Sequence, residues 1–337
     1  MKAAIFRGPG RLEIEQFYLP KLEPSEVLIK VEICGLCGTD FHIYKGEAPS
    51  KPPMIPGHEF VGVVADKGNL VTGLSVGDHV AIDPNIYCGR CYYCRIGKIN
   101  LCTNLKAIGV TLNGGFAEYS IVPSSQAYKI SHELSFKSAS FAEPLSCCIH
   151  GIDQAEIRGG ESVGIIGAGT IGLLMLQLVK ISGAGKIFIV EPVKTKRETA
   201  FRLGAEYTFD SNSENIFNQI SDLTEGGPDV VIECVGNSDA ANLALKIVKK
   251  GGRIIVFGLS GKKDHLIINL QNFFHKELQI KGSILNPFTF SRSIELLATG
   301  KVNVESFNPI QLKLNSLCNI LKNPRDFSVT KYQITPN

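Results

Sequence analysis

A glycine-rich turn between two apolar stretches constrains the fold of this chain most strongly. The segment VGIIGAGTIGLLMLQL contains the pattern GxGxxG at Gly167, Gly169 and Gly172. β-Branched residues before the glycines predict a strand, and leucine-rich residues after them predict a helix. In such a turn the first glycine permits the bend, the second lets the backbone approach a pyrophosphate, and the third lets the helix pack on the strand. The context predicts a βαβ unit that binds a dinucleotide at the helix N-terminus.

Residues around this turn complete the predicted dinucleotide site. Thr170 and Ile171 begin the helix, where N–H groups favour phosphate. Glu191 closes the next strand about twenty residues on, where a carboxylate binds ribose hydroxyls and repels the extra phosphate of NADP. Three nearby cations could instead hold that phosphate: Lys194, Lys196 and Arg197. NAD is therefore the predicted cofactor, and NADP is the less favoured alternative.

Two different patterns of strand-like and helical segments along the chain predict two domains. Residues 1 to about 150 alternate short β-like runs with Gly and Pro, which predicts a mostly antiparallel β domain. From about 160 to 284, strand-like runs alternate with helical stretches, which predicts an α/β domain with a doubly wound parallel sheet. The length of 337 residues also exceeds the roughly 250–300 residues that a single core supports.

Composition argues against several classes of protein. The formal charge is only +3, and the basic residues form no block of the kind that binds nucleic acid. An uncharged run at 163–179 is shorter than the ~20 residues that cross a bilayer, and its glycines suit a turn. The N-terminal segment MKAAIFRGPG lacks the apolar core of a secretory signal. We therefore expect a reducing, cytoplasmic location, no membrane partner and no nucleic-acid partner.

Four cysteines in the segment YCGRCYYCRIGKINLC have the spacing CxxCxxCx7C. They are Cys88, Cys91, Cys94 and Cys102. Disulfides are rare in reducing compartments, which disfavours a disulfide framework. A bacterial ferredoxin run has its fourth cysteine three residues on and followed by Pro, whereas Thr103 follows here. Four thiolates from one loop suit a closed, tetrahedral structural zinc site.

Cysteine, histidine and glutamate residues in three separated segments indicate a second metal site. The segment CGLCGTDFHIY contains Cys37, Thr39, Asp40 and His42; PMIPGHEFVG contains His58 and Glu59; and FAEPLSCC contains Glu143. Each alone has a simple explanation, such as a core thiol or an exposed carboxylate. Together with the dinucleotide motif, they match a catalytic zinc that keeps one coordination position open.

These motifs together resemble the zinc-containing medium-chain dehydrogenase/reductase (alcohol dehydrogenase) family, and within it the sorbitol dehydrogenase-like polyol dehydrogenases, over essentially the whole chain. The resemblance is carried by CGTDFH, GHEFVG, the cysteine segment, AEPLSC, GAGTIG and GGRIIVFG. It implies a GroES-like catalytic domain over 1–150 and 286–337, with a structural zinc lobe at 85–105, and a Rossmann NAD-binding domain over 151–285. It also implies an active site in the cleft between the domains and a homodimer or homotetramer.

The resemblance implies a ligand set for the catalytic zinc. Cys37 and His58 would be its fixed protein ligands. Either Glu59 or Glu143 would approach the metal as the carboxylate ligand, directly or through water. Two zinc ions per chain are therefore expected, one at each kind of site.

The resemblance also implies a proton path and a reaction. Thr39 would take the proton from the alcohol, and His42 would relay it toward solvent. Asp40 would support the metal loop. The implied reaction transfers a hydride from a secondary alcohol of a polyol to NAD and leaves a ketone.

Three departures from the sorbitol enzymes leave the substrate open. Lys196 stands where the family usually has arginine, Ile43 and Tyr44 replace a common aromatic pair, and the segment 283–290 lacks the arginine of sorbitol enzymes. The substrate could then be another polyol, such as a pentitol or an inositol derivative, or a simpler secondary alcohol. An L-threonine or 2,3-butanediol dehydrogenase is the alternative within the class. A non-enzymatic NAD- or zinc-binding relative is the alternative of another class, although such a protein has no need of a proton relay.

Overall fold

Seventeen strands and eleven α-helices form the described part of the computed structural model, which covers residues 1–323, 326 and 328–336. The strands are β1 (Lys2–Gly8), β2 (Arg11–Gln16), β3 (Glu26–Leu36), β4 (Glu59–Lys67), β5 (His79–Ile82), β6 (Asn85–Ile86), β7 (Lys106–Ala107), β8 (Tyr119–Pro123), β9 (Ala127–Lys129), β10 (Ser162–Ile166), β11 (Lys186–Val190), β12 (Tyr207–Phe209), β13 (Val230–Glu233), β14 (Arg253–Val256), β15 (Gln279–Gly282), β16 (Ile310–Lys313) and β17 (Tyr332–Thr335). The helices are α1 (Gly38–Lys45), α2 (Tyr92–Arg95), α3 (Phe136–Ala139), α4 (Ala142–Ala155), α5 (Thr170–Ile181), α6 (Lys194–Arg202), α7 (Ile216–Thr224), α8 (Ser238–Ile247), α9 (Leu270–Lys276), α10 (Phe290–Ala298) and α11 (Leu317–Lys322). The chain divides into a first unit, Met1–Ser146 with Asn286–Asn337, and a second unit, Cys147–Leu285.

The first unit is organised by a seven-stranded sheet around β3. The order is β16-β17-β3-β4-β5-β9, and β8 also pairs with β3. All pairings except that of β16 with β17 are antiparallel. Along the first part of β3 every second side chain is buried, as in Val27, Ile29 and Val31, so one face of the strand lies in the core, and the last four residues are buried on both faces. The predicted antiparallel β domain is confirmed.

The second unit is built on a six-stranded parallel sheet in the order β12-β11-β10-β13-β14-β15. Parallel neighbours need crossover connections, and helices occupy each connection between these strands. Strands run outward in both directions from β10, which is the doubly wound arrangement. The predicted α/β class is therefore confirmed for this unit.

The turn between β10 and α5 shows why its glycines are required. Gly167 has a φ of 98°, in the left-handed region that glycine tolerates without a steric penalty. A Cβ on Gly172 would overlap the carbonyl oxygen of Gly167. At Gly169, among the described residues, no atom lies within 4 Å of the position that a Cβ would take. The first and third glycines therefore shape the turn, and the second leaves open space beside the backbone.

The uncharged run at 163–179 spans β10, the glycine turn and most of α5, and nearly all of its apolar side chains are buried in the second unit. In the part of the chain that the structure describes, no helix has both the length and the apolarity that crossing a bilayer requires.

Substitution of Gly172 by alanine is expected to lower the free energy of unfolding by about 1–3 kcal/mol, because α5 must shift to accommodate the new methyl group. Gly169→Ala is the matched control, since its φ of −74° suits alanine and its Cβ would enter open space. Urea denaturation of both variants measures the difference. Equal losses of stability would show that the contact between Gly172 and Gly167 does not limit the packing of α5.

Candidate active site and metal centres

The register of β3 against β4 brings Cys37, His58 and Glu59 together. Gly35 of β3 pairs with Glu59, the first residue of β4. Cys37 follows β3 at the N-cap of α1, and His58 immediately precedes β4. The ligand atoms of the three side chains all lie within 4.8 Å of one another. Two segments that the sequence separates therefore supply thiol, imidazole and carboxylate donors to one point.

This donor set fits a zinc ion. Zinc accepts sulfur, nitrogen and oxygen ligands, and His58 and Glu59 are buried from water. Burial lowers the pKa of His58, but Cys37 and the carboxylates of Asp40 and Glu143 outweigh burial, so that this pKa stands well above its usual value. The surroundings of the ring therefore favour positive charge, which a bound Zn²⁺ would supply.

Asp40 stands behind His58 in this arrangement. Its Oδ1 lies 3.8 Å from His58 Nδ1, and within the described residues neither buried atom has a hydrogen-bond partner. Its Oδ2 accepts a 2.8 Å hydrogen bond from the backbone N–H of Cys37. Burial raises the pKa of Asp40 to about 6. A carboxylate that faces the free nitrogen of a metal-binding histidine orients the ring, which suits the predicted supporting role of Asp40.

Lys331 is a residue of this site that the sequence analysis missed. Its ammonium group forms an ion pair with Glu59 Oε2, and the two side chains are only 4% and 2% exposed. Burial alone would lower the pKa of Lys331, but the charges of Glu59 and Cys37 raise it by more than burial lowers it. The pKa of Lys331 is therefore above its usual value. Gly35 makes room for the pair, because a Cβ there would overlap Glu59 Oε2.

Glu143 lies close enough to influence this site, although it is not one of the three clustered donors. It is buried in the first turn of α4, and its charge raises the pKa values of His58 and Lys331. Among these carboxylates, Glu59 is the one that clusters with Cys37 and His58 as a possible metal donor.

The two residues of the predicted proton path lie on α1. Thr39 Oγ1 is 3.6 Å from Cys37 Sγ, which places the hydroxyl beside the metal donors. His42 follows three residues later, and side chains with this spacing share a helix face. The His42 ring is 30% exposed, so it can exchange protons with water.

The four cysteines form a separate lobe on the first unit. The β6–β7 pair closes its base, and α2 carries Cys91 at its N-cap and Cys94 within it. All four Sγ atoms lie within 4.8 Å of one another, and Cys91 Sγ is 3.5 Å from Cys94 Sγ. A tetrahedral zinc with Zn–S bonds of about 2.3 Å needs sulfurs about 3.8 Å apart. The lobe therefore has the geometry of a closed four-thiolate site.

The protonation preferences of these thiols also call for a cation. Backbone N–H groups of Cys94 and Thr103 lower the pKa of Cys91 to about 6. Desolvation and the neighbouring thiols raise the pKa of Cys94 to about 12. Because four adjacent thiolates repel one another, all of them lose their protons together only around a positive ion.

The predicted dinucleotide residues lie at the carboxyl ends of β10 and β11. Gly167, Gly169, Thr170, Ile171 and Gly172 form the turn and the start of α5. Glu191 follows β11 and is buried, and its carboxylate accepts hydrogen bonds from the backbone N–H groups of Ala168, at 2.8 Å, and Val193, at 3.0 Å. Lys196 is buried in α6. The structure therefore links Glu191 directly to the glycine-rich turn.

Comparison with known proteins agrees with this combination of sites. Residues 23–132 match the alcohol dehydrogenase GroES-like domain, and residues 170–299 match the zinc-binding dehydrogenase domain. The chain belongs to the zinc-binding dehydrogenase family. The predicted resemblance is thus confirmed, and the protein is an alcohol dehydrogenase that acts on a small-molecule alcohol.

Relatives of this dehydrogenase act on different alcohols. A D-arabinitol dehydrogenase of Uromyces fabae is 33% identical and covers 100% of this chain and 97% of its own length. An L-threonine 3-dehydrogenase of Pyrococcus horikoshii is 37% identical, over 90% of this chain and 89% of its own. A zinc-binding dehydrogenase of Sinorhizobium meliloti 1021, solved bound to NADP, superimposes with a TM-score of 0.96 at 37% identity over 99% of each chain. The prediction that zinc and a nicotinamide dinucleotide are the cofactors is confirmed.

Replacement of Cys94 by serine is expected to reduce the zinc content from about two ions per chain to about one, because a closed site needs all four thiolates. Thermal stability should fall at the same time, since metal binding at such a site contributes to folding. Elemental analysis and a thermal melt measure both effects. Cys318→Ser, outside both metal clusters, is the control that should keep its zinc. Normal zinc content and stability in the Cys94 variant would contradict a structural site.

Removal of Lys331 tests the buried ion pair. Lys331→Met is expected to lower the free energy of unfolding by about 3–5 kcal/mol, because it leaves Glu59 buried without its partner. Lys30→Met removes a solvent-accessible ion pair with Glu32, whose side chains are 45% and 30% exposed, and should cost only about 0–1 kcal/mol. Urea denaturation compares the two. Similar small losses would show that Glu59 does not depend on Lys331.

Proposed function

We propose that this dehydrogenase oxidises a secondary alcohol of a polyol to a ketone, reversibly, with NAD as the acceptor. One observation supports the proposal above all: Cys37, His58 and Glu59 converge at a buried point, with the hydroxyl of Thr39 next to the thiol. A pentitol is the favoured substrate. The D-arabinitol dehydrogenase relative covers the whole chain, and the sequence departs from the sorbitol enzymes.

The chain's own residues would remove the alcohol proton. When bound, zinc makes the hydroxyl more acidic and the nicotinamide accepts the hydride, so the alcohol loses one hydride and one proton in total. A hydroxyl group both accepts and donates a hydrogen bond, so Thr39 can take up the alcohol proton as it gives up its own. His42, on the same face of α1, then receives that proton and releases it to water.

The metal ligands in this proposal are Cys37, His58 and one carboxylate. Glu59 is the resting carboxylate ligand, because its oxygen lies within 4.8 Å of the other two donors. Glu143 serves as the alternative carboxylate near the site. Lys331 limits how far Glu59 can move, since their ion pair holds one of its oxygens. The second zinc is structural and is held by Cys88, Cys91, Cys94 and Cys102.

The surroundings of Glu191 support NAD over NADP. The buried carboxylate would repel a phosphate on the adenosine ribose. Arg197 already has partners within the protein and is less available to bind such a phosphate. Its Nη1 donates to the carbonyl oxygens of Glu191 and Pro192 and pairs with Asp210 at 3.1 Å. Gly167, Gly169, Thr170, Ile171 and Gly172 hold the pyrophosphate in this proposal, and Lys196 lies at the adenosine end. The relative bound to NADP makes a direct comparison of the two cofactors necessary.

L-Threonine is the second candidate substrate. The L-threonine 3-dehydrogenase relative has a higher identity, 37%, although it covers less of the chain. The segment CGTDFHIY also fits threonine enzymes, and 2,3-butanediol belongs to the same group of secondary alcohols. The stronger support for a polyol is the length of the match to the D-arabinitol enzyme.

A homo-oligomer in a reducing, cytoplasmic environment is also proposed. Three apolar side chains in or near α9 are about three-quarters exposed, at 76% for Ile267, 78% for Leu270 and 75% for Phe274. An apolar surface of this kind favours association with another copy. All ten cysteines are free thiols, which suits a reducing compartment. Light scattering on the purified protein tests association, and a monomer at all concentrations would contradict it.

A substrate panel tests the proposed reaction. The purified protein is assayed with NAD and with NADP against D-arabinitol, other pentitols, sorbitol, L-threonine and 2,3-butanediol, with zinc measured in the same sample. The expected result is the highest kcat/KM for a pentitol with NAD, lost on chelation and restored by zinc. A higher kcat/KM for L-threonine would replace the polyol proposal. No turnover of any alcohol at full zinc content would contradict both.

Cys37→Ser tests the role of the thiol donor. We expect turnover to fall to background and the zinc content to fall by about one ion per chain, while the thermal midpoint changes little. Cys34→Ala is the matched control, because Cys34 is a buried thiol in β3, three residues before Cys37, that lies outside the metal cluster. Near-normal turnover in the Cys37 variant would remove the catalytic zinc from the account.

A further inference from the structure

His42 is paired with an acidic residue that the proposed proton path does not include. Glu47 Oε2 lies 2.8 Å from His42 Nδ1. The two residues are five positions apart, so they do not meet through the ordinary spacing of a continuous helix. The end of α1 creates the contact.

The backbone after α1 folds back toward His42. Gly46 ends the helix with a φ of 76°, a left-handed cap that glycine adopts readily. The N–H of Gly46 donates a hydrogen bond to the carbonyl oxygen of Ile43. The N–H of Glu47 donates one to the carbonyl oxygen of His42, at 2.8 Å. A Cβ on Gly46 would also press on Pro9. Glu47 is therefore held against His42 through both its backbone and its side chain.

This contact determines which nitrogen of the neutral imidazole ring carries the hydrogen. A carboxylate accepts hydrogen bonds and cannot donate them, so the nitrogen that faces Glu47 must carry the hydrogen. In a neutral imidazole the other nitrogen then has a free lone pair. Nε2 is thereby left able to accept a proton, which is what a relay residue requires.

The exposure of the pair argues that its role is not structural. The side chains of His42 and Glu47 are 30% and 54% exposed. Exposed ion pairs add little to the stability of a fold. Loss of Glu47 should therefore leave the thermal midpoint nearly unchanged.

We propose that Glu47 is a positioning residue, which fixes the tautomer and orientation of His42 so that Nε2 faces the proton to be transferred. The inference rests on the proposed function insofar as His42 takes part in the reaction. The tautomer itself is a property of the protein without substrate. The two can therefore be tested separately.

Nitrogen NMR tests the tautomer directly. In protein labelled with ¹⁵N-histidine, the His42 signals are assigned by their absence in His42→Gln. We expect Nδ1 to be protonated and Nε2 to be unprotonated, with this preference lost in Glu47→Ala and kept in the surface control Glu15→Gln, which breaks the pair of Glu15 with Arg7. A proton on Nε2 in the unmodified protein, or a preference that survives in Glu47→Ala, would overturn the proposal.

A double-mutant cycle tests the consequence for turnover. Glu47→Ala should lower kcat roughly tenfold or more in the unmodified background, since general acid–base groups contribute about 10²–10⁴ to rates. In the His42→Gln background it should have almost no further effect, because the two residues act as one unit. Equal losses in both backgrounds, or no loss in either, would overturn the positioning role. If the tautomer is as expected but none of the panel alcohols is oxidised, the proposed function fails while the assignment of the ring stands.

Discussion

The buried ion pair between Glu59 and Lys331 is the interaction on which the candidate active site depends. Removing two charges from water is costly unless they meet each other and further partners, and this pair lies beside Cys37 and His58. With Asp40 and Glu143 also buried nearby, acidic groups outnumber the single lysine. A bound metal cation would balance this excess. The pairing of β3 with β4 and β17, together with the missing side chain at Gly35, makes the arrangement possible.

Two kinds of metal site follow from two kinds of local structure. The cysteine lobe gathers its ligands from one short segment near the surface, so the metal can hold the segment in shape by itself. The second site gathers its ligands from strand ends within the sheet, where the fold has already positioned them. Such a preformed site can leave a coordination position for substrate without losing its geometry. In the proposed function, the difference between a stabilising and a reactive zinc therefore lies in how the chain delivers the ligands.

The sequence predicted the parts of the fold and site that depend on neighbouring residues. The glycine turn of 167–172 and the cysteine spacing of 88–102 are local patterns, so both can be recognised from the order of neighbouring residues in the sequence. Lys331 could not be found in this way, because 272 positions separate it from Glu59 and only the sheet order brings them together. Glu47 was missed for another reason: its contact with His42 depends on the left-handed cap at Gly46. The choice between Glu59 and Glu143 likewise needs three-dimensional distances.

The central claim is that the chain holds a zinc ion at Cys37, His58 and a carboxylate as well as one in the cysteine lobe. Anomalous X-ray diffraction at the zinc edge, from crystals of protein purified without chelator, tests this claim most directly. The account predicts two anomalous peaks per chain, one among the four lobe sulfurs and one in contact with Cys37 Sγ and the His58 ring. A peak in the lobe alone, from protein that still oxidises its alcohol substrate, would contradict it.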